Sequence, residues 1–395
     1  MPQCAKSREE RTLSDTYPDP RIERVAELVK LYGRSSNDYF KLWPPKEYFF
    51  SKSGNGVVAY GISHGVAFAL GEPAAPDQEM ATTIAEYLAY CRAHHLHPVF
   101  HQVSNRYLDI FRQHHLRAFK ASEDAIVDLT VFTTSGHAAK HFRSTIRRLE
   151  TGGIHTRLFE PPIADEIIEQ ARAVSDSWLA GGRRERDFVV GRFTQDYVRA
   201  TPMLAAYDAD GVMQGFVNII PCFAPETATI DMMRHRVDVS HSLMDYLFLK
   251  LFAHEREQGY HYFDLGPAPI LQLPAEEPAT LEEKSYYRLT RHLNSLFSMT
   301  GLRNYKEKFA TRWEPLYMIH GRVTDWPQVL RAFSDITELP ENRQPPLSRE
   351  RRQQLRQITA GMIAQSRGAR TKRASAAARQ TTQQQAAETL DADSE

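Results

Sequence analysis

The stretch Thr229–Gly266, TIDMMRHRVDVSHSLMDYLFLKLFAHEREQGYHYFDLG, reads as strand, polar loop, amphipathic helix, strand. The first strand ends in Asp231, Arg234 and His235, and the loop that follows leads into a helix N-terminus, whose free amides attract anions. In a strand Asp231 and Met233 share one face and Met232 and Arg234 the other, so the two charged residues converge only where the strand end is irregular. Either they pair with each other at a sheet end or they face a ligand.

Working outward, Met203–Asp208, Val212–Pro221 and Ala228–Arg234 read as strands after a helix over Ile163–Leu179, and helix Leu243–Gln258 precedes strand Tyr262–Leu265. The first half has the same order. Helix Arg21–Tyr32 leads to strands Tyr48–Ser53, Gly56–Ser63 and Val66–Leu70, helix Met80–His94, strand Pro98–Val103, helix Tyr107–His115 and strand Ala125–Leu129. The expected fold class is α+β, two similar units in tandem, each a mixed sheet with flanking helices. The expected divisions are an N-terminal helix and polar arm (1–34), a first unit (35–134), a basic connecting helix (135–160), a second, catalytic unit (161–338) and a helical, then disordered, polar tail (339–395).

Composition narrows the function classes. The 395 residues are 42% hydrophobic and 10% aromatic, which suits sizeable cores, and 49 basic against 49 acidic residues leave no global field for a nucleic acid. Such binding must come from local patches. Cys4, Cys91 and Cys222 form no CxxC pair, and a reducing cytoplasm is the expected setting. No window approaches the roughly 18 uninterrupted apolar residues of a spanning helix, and the N-terminus has no signal-like apolar run. His94, His95, His97 and His101 straddle a helix end and a strand, so no metal site is expected. No GxSxG, Walker A or GxGxxG element stands in context.

Three further segments could carry chemistry. In the connecting helix Ser135 can cap the start and Gly152-Gly153 stops it, while Arg143 and Arg147 share a face with Arg148 nearby, either a solvated basic face or a contact for phosphates. In Gly301–Tyr317, Arg303, Lys306, Lys308 and Arg312 alternate with Tyr305, Phe309 and Trp313, either a basic surface on core aromatics or a site for a phosphate-rich ligand. In Trp178–Phe193, Glu185 and Asp187 lie among arginines in what reads as a Gly-hinged loop over a pocket. Acetyl-CoA-dependent transferases of the GNAT type carry a glycine-containing pyrophosphate loop between strand and helix. Here HRVDVSHS contains no glycine and brings in Asp238, which points to another acyl donor.

FRSTIRRLETGGI, Glu185 to Phe193, DMMRH followed by Met244-Asp245-Tyr246-Leu247, FDLGPAP and GLRNYKEKFATRWEPLY occur in that order. Together they resemble the soluble catalytic domain of phosphatidylglycerol lysyltransferases, the multiple peptide resistance factor family, over roughly residues 35 to 335. The resemblance implies tandem GNAT-like domains, an aminoacyl-tRNA donor carrying lysyl or alanyl, phosphatidylglycerol as acceptor, contact with the inner membrane face and no cofactor. The multi-helix flippase region found ahead of this domain in members of the family has no expected counterpart here. Where the family tends to have Pro and Gly before Met-Asp, this chain has Val239-Ser240-His241-Ser242. Carried onto matching positions, the functional residues are Asp231, Arg234 and Lys306.

Asp231 would hold the donor's α-ammonium or polarise the attacking hydroxyl, while Arg234 and Lys306 would neutralise the lipid phosphate or the oxyanion. Glu185, His235, Arg303, Lys308 and Arg312 are the expected substrate contacts, Glu185 either reading a basic donor side chain or pairing with Arg183 or Arg184. Arg143, Arg147 and Arg148 are the candidates for the tRNA acceptor stem. The rival readings are the same donor with another lipid or small-molecule acceptor, a non-catalytic tRNA- or lipid-binding module and, last, a coenzyme A acyltransferase.

Overall fold

The computed structural model describes residues 20–43, 46–183, 185–240, 242–270, 299–322 and 325–337, with single positions at 284, 350, 353, 354, 357 and 361. Residues 1–19 of the polar arm, the tail from 339 apart from those single positions, Arg184 and His241 lie outside them. Eleven strands form one sheet in the order β1-β2-β3-β4-β11-β5-β10-β9-β8-β7-β6. The first half supplies β1 (Glu47–Phe50), β2 (Val57–Ser63), β3 (Val66–Leu70), β4 (His97–Val103) and β5 (Arg117–Asp128). The second supplies β6 (His155–Phe159), β7 (Met203–Tyr207), β8 (Met213–Ile220), β9 (Thr227–His235), β10 (Tyr262–Pro269) and β11 (Arg312–His320).

The halves repeat one pattern, an antiparallel run ending in a single parallel pair: β3 with β4 in the first, β9 with β10 in the second. Each then gives its last strand to the other. β11 pairs with β4, and β5 pairs with β10, while β5 and β11 join antiparallel in the middle of the sheet. The fold is thus α+β, two GNAT-like halves joined in one mixed sheet. β5 and β10 run longer than their apolar patterns suggest, because both continue through charged or proline positions: Lys120, Glu123 and Asp124 in one, Pro267 and Pro269 in the other. β11 holds Pro315 opposite Glu123 in the sheet interior, where proline is unfavourable.

Helices cover both faces. Helix α1 (Arg21–Tyr32) buries Ile22, Val25, Leu28 and Val29 at helical spacing, and its core continues under α5 (Asp165–Ala180), α6 (Gln195–Ala200) and α9 (Trp326–Thr337). On the opposite face α2 (Met80–Ala93) and α3 (Leu108–Gln113) pack on the first half. The second half is covered there by α4 (Lys140–Thr151), α7 (Ser242–Glu257) and α8 (Met299–Glu307). Phe248 and Phe252 of α7 are 1% exposed. Burial of each is worth about 1.5–3 kcal/mol. The connecting helix starts at Lys140, five residues after the expected cap at Ser135, because the chain spends residues 133–139 in turns.

Candidate functional site

β9 is irregular where the site needs it to be. Opposite β8 its register runs Ile219 to Ile230 and then Val217 to Met233, so β9 carries one extra residue and Asp231 and Met232 both stand across from Asn218. The Asn218 side-chain oxygen accepts from the Met232 amide at 2.7 Å. Ile230 and Met233 pack into the core beneath α7, whereas Met232 belongs to the opposite core. The bulge therefore turns Asp231 and Arg234 to one face, towards α5 and α6.

They do not pair with each other. Asp231 accepts from the Tyr197 hydroxyl at 2.6 Å and, through both oxygens, from the Gly191 amide at 3.0 Å. Arg234 is 4% exposed and donates to the Ser175 hydroxyl and to Glu185 Oε1 at 2.5 Å. Its guanidinium lies 4.9 Å from the Trp178 ring and 5.9 Å from Phe193, an arrangement a lysine could not reproduce. Glu185 also accepts from the Phe193 amide at 2.9 Å. It pairs with Arg234 rather than with Arg183, which lies over Trp178. Burial pushes the Asp231 carboxyl up to about 6, against the opposing pull of Tyr197, Gly191 and Arg234.

The next strand forms the other arm. β9 and β10 pair only from Thr227/Tyr262 to Thr229/Asp264, although both continue, so they splay into a wedge. Beyond Asp264, β10 carries its own extra residue opposite β5, at Leu265-Gly266, where Gly266 takes φ +81°. Asp264 accepts from the Gly266 amide at 2.7 Å and from the Ser36 hydroxyl. Lys306 of α8 donates to the Gly266 carbonyl at 2.9 Å and the Pro267 carbonyl at 3.0 Å. Burial lowers its ammonium to about 8, while Asp264 and Asp124 hold it up. The three residues named by the motifs are thus divided: Asp231 and Arg234 on the β9 arm, Lys306 against the β10 arm.

The remaining candidates are engaged with neighbours. Arg303 pairs with Glu123 at 2.8 Å and lies over Trp313, Lys308 pairs with Asp245 at 3.2 Å and lies over Tyr305, and Arg312 pairs with Glu314 at 2.8 Å and lies over Tyr262. The alternation of cations and aromatics in this segment builds intramolecular cation–π contacts. His235 is buried with Nδ1 2.7 Å from the Arg236 carbonyl. Arg143 caps the turn before α4 through the Thr134 and Gly136 carbonyls, and Arg147 is exposed. Arg148 reaches Ser242 Oγ at 2.6 Å, which brings a cation to the N-terminus of α7.

Tyr197, Gly191, Asp124 and Asp264 escaped the reading of single motifs. Tyr197 and Gly191 lie in the helix and loop between β6 and β7, with no spacing that ties them to Asp231. Asp264 did carry a signal: an acid between Phe263 and Leu265, in a strand otherwise apolar, followed by glycine.

Comparison with known proteins places the chain among its relatives. The model of the family "Phosphatidylglycerol lysyltransferase, C-terminal" matches residues 26–320. Phosphatidylglycerol lysyltransferase of Staphylococcus epidermidis is 28% identical over 307 residues, 78% of this chain and 36% of that protein. The Staphylococcus haemolyticus enzyme is 27% identical over 313 residues, 79% of this chain and 37% of that protein. The chain therefore spans little more than a third of these relatives. Among solved structures, L-PGS from Bacillus licheniformis superimposes with TM-score 0.73 at 27% identity, covering 81% of this chain and 97% of that one. The C-terminal domain of a putative lysylphosphatidylglycerol synthetase from Agrobacterium fabrum gives 0.70 at 28%, covering 80% and 96%. Among the described residues no helix is long and apolar enough to cross a membrane. With three quarters of its length inside the family model and two solved relatives matched almost end to end, this chain belongs to the phosphatidylglycerol lysyltransferase C-terminal domain family.

Proposed function

We propose that this chain moves an aminoacyl group, lysyl or alanyl, from aminoacyl-tRNA to a hydroxyl of phosphatidylglycerol, working at the cytoplasmic face of the membrane as a peripheral protein. The observation that carries the reading is the β9 bulge, which brings a carboxylate near neutral pH, Asp231, to the same face as a buried guanidinium, Arg234. An aminoacyl-tRNA is an activated ester, so transfer needs an oriented hydroxyl, a proton acceptor and charge stabilisation. No covalent enzyme intermediate is required.

In this mechanism Asp231 accepts a hydrogen bond from the lipid hydroxyl and takes its proton as the oxygen attacks the ester carbonyl. Its pKa of about 6 suits that role at pH 7. The Lys306 ammonium, on the other arm of the wedge, meets the oxyanion as the carbonyl becomes tetrahedral. The proton on Asp231 then passes to the ribose oxygen as the ester bond breaks, leaving aminoacyl lipid and free tRNA. Arg234 positions Glu185 and the loop through Phe193, which roofs Asp231, and adds positive charge for the lipid phosphate. Arg147 and Arg148 of α4, beside the α7 N-terminus, suit the tRNA phosphates.

The test is to incubate the protein with charged tRNAs and anionic liposomes and look for labelled lipid. Label on phosphatidylglycerol with wild type, lost in Asp231→Ala and Lys306→Ala, supports the reading. Label on another lipid would move the acceptor and keep the donor. Charged tRNA left intact beside every lipid would end the claim of catalysis.

A further inference from the structure

The carboxylates around the wedge differ in how far they are satisfied. Glu185 is held by Arg234 and the Phe193 amide, Asp231 by Tyr197 and Gly191, and Asp264 by Gly266 and Ser36. Asp124 of β5 is 7% exposed, and its Oδ1 is buried with no hydrogen-bond partner. Along β5 and β10, Ala125 and Phe263 point into the core beneath α7, so Asp124 and Asp264 stand on the opposite face, the one that Asp231 shares.

Four charged groups act on Asp124 from the elements around it. Asp264, Glu314 and Glu72 disfavour its charged form, and Lys306 favours it. Lys306 does not cancel it directly, since the hydrogen bonds of its ammonium run to the Gly266 and Pro267 carbonyls. A strand interior filled for stability alone has no use for a carboxylate without a hydrogen bond, because burying one is costly. The surrounding charge invites a cation with N–H donors of its own.

We propose that Asp124, backed by Asp264, receives a primary ammonium of the aminoacyl group, with Lys306 on its other side positioned for the carbonyl oxygen. The assignment rests on the aminoacyl-transfer reading and deepens it. It gives the ammonium its own site, so that Asp231 is left to the hydroxyl. An ammonium next to an ester carbonyl presents a donor and an acceptor side by side, which an acid and an amine on one wall recognise together. Burial first, and the neighbouring Asp264 second, hold the Asp124 carboxyl well above the usual carboxylate range. An arriving ammonium opposes both and favours the ionised carboxyl, so its binding is coupled to proton release.

The α-ammonium and a lysyl side-chain ammonium share this chemistry, and titration calorimetry on the full chain, without tRNA or lipid, separates them. L-Alaninamide offers only the first, Nα-acetyl-L-lysinamide only the second, and propionamide neither. Binding of one ammonium-bearing amide is expected, with proton release seen as a buffer-dependent heat, and Asp124→Asn should weaken it about tenfold or more. That variant should melt no lower than wild type, since the amide replaces a buried carboxyl whose Oδ1 has no hydrogen-bond partner, and Asp124→Ala serves as the second variant. Equal binding by Asp124→Asn, equal binding of propionamide, or no binding by any amide would overturn the assignment. Amide binding that depends on Asp124 in a protein that labels no lipid would count against transfer while leaving the site in place. Undiminished lipid labelling by Asp124→Asn would do the reverse.

Discussion

Tyr197 donates its hydroxyl hydrogen to Asp231 across 2.6 Å, from a helix 34 residues upstream of the strand it reaches. The bond favours the ionised carboxyl and opposes the burial that raises it. Tyr197→Phe removes that support, so the Asp231 pKa rises above about 6 and less of it is ionised at neutral pH. The acid limb of the kcat/KM profile should move to higher pH by about 0.5–1 unit, with turnover at pH 7 falling by less than about twofold and more steeply below pH 6. A profile that keeps its position would separate Tyr197 from the chemistry.

The wild-type profile should be bell-shaped. The proposed transfer uses Asp231 ionised and Lys306 protonated. Activity is therefore lost as pH falls through about 6 and again as it rises through about 8. Lys306→Arg, whose guanidinium stays charged, should flatten the alkaline limb in whatever activity remains. An alkaline limb unmoved in that variant would assign it to another group.

Gly191 is confined by space rather than by backbone angle. A Cβ there would stand 2.2 Å from Asp231 Oδ2 and 2.6 Å from the Tyr197 ring. Gly191→Ala must displace the carboxylate or the loop, and kcat/KM should fall about 10- to 100-fold for a misplacement near 1 Å. Gly321→Ala, whose Cβ would meet nothing within 4 Å, should leave the rate unchanged. Full activity in Gly191→Ala would show that the loop does not hold Asp231 in its working position.

The basic helix offers a cleaner test at one position than at its neighbours. Arg147 is exposed, whereas Arg143 ties down the turn before the helix and Arg148 holds Ser242. Arg147→Ala should weaken binding of every charged tRNA alike and reduce the slope of log K against log salt by about 1, without a change in melting temperature. An unchanged slope would leave Arg147 as a solvated surface charge.

What the sequence made legible was whatever rests on local repetition. Val66–Leu70 is found at its expected limits, and most other strands and helices of the two repeats within a few residues of theirs, because their apolar periods are sampled within a single element. The convergence of Asp231 and Arg234 was legible only as a condition. Alternation puts them on opposite faces, and the extra residue across from Asn218 reverses that without leaving a mark in composition. The segment from Arg303 to Arg312 was legible only as two alternatives. Its spacing fits a phosphate site and an internal ladder of ion pairs and ring contacts equally well, and only tertiary placement distinguishes the two. β11 and the outer part of β10 were hidden by prolines that a sheet interior rarely accepts.

The exchange of last strands between the halves has a consequence for how the protein is made. On a ribosome the first half emerges complete in sequence yet cannot close its sheet, because Val103 of β4 waits for Tyr317, and β5 has no neighbour until Tyr262–Asp264 and Pro267–Pro269 arrive. Until then β4 and β5 are bare edges of the kind that pair with the wrong chain. The same delay couples assembly to chemistry. Asp124 comes from the early half and Lys306 from the late one, so the two cannot come together before nearly all of the sheet has been synthesised. A half-made chain lacks the proposed site by construction.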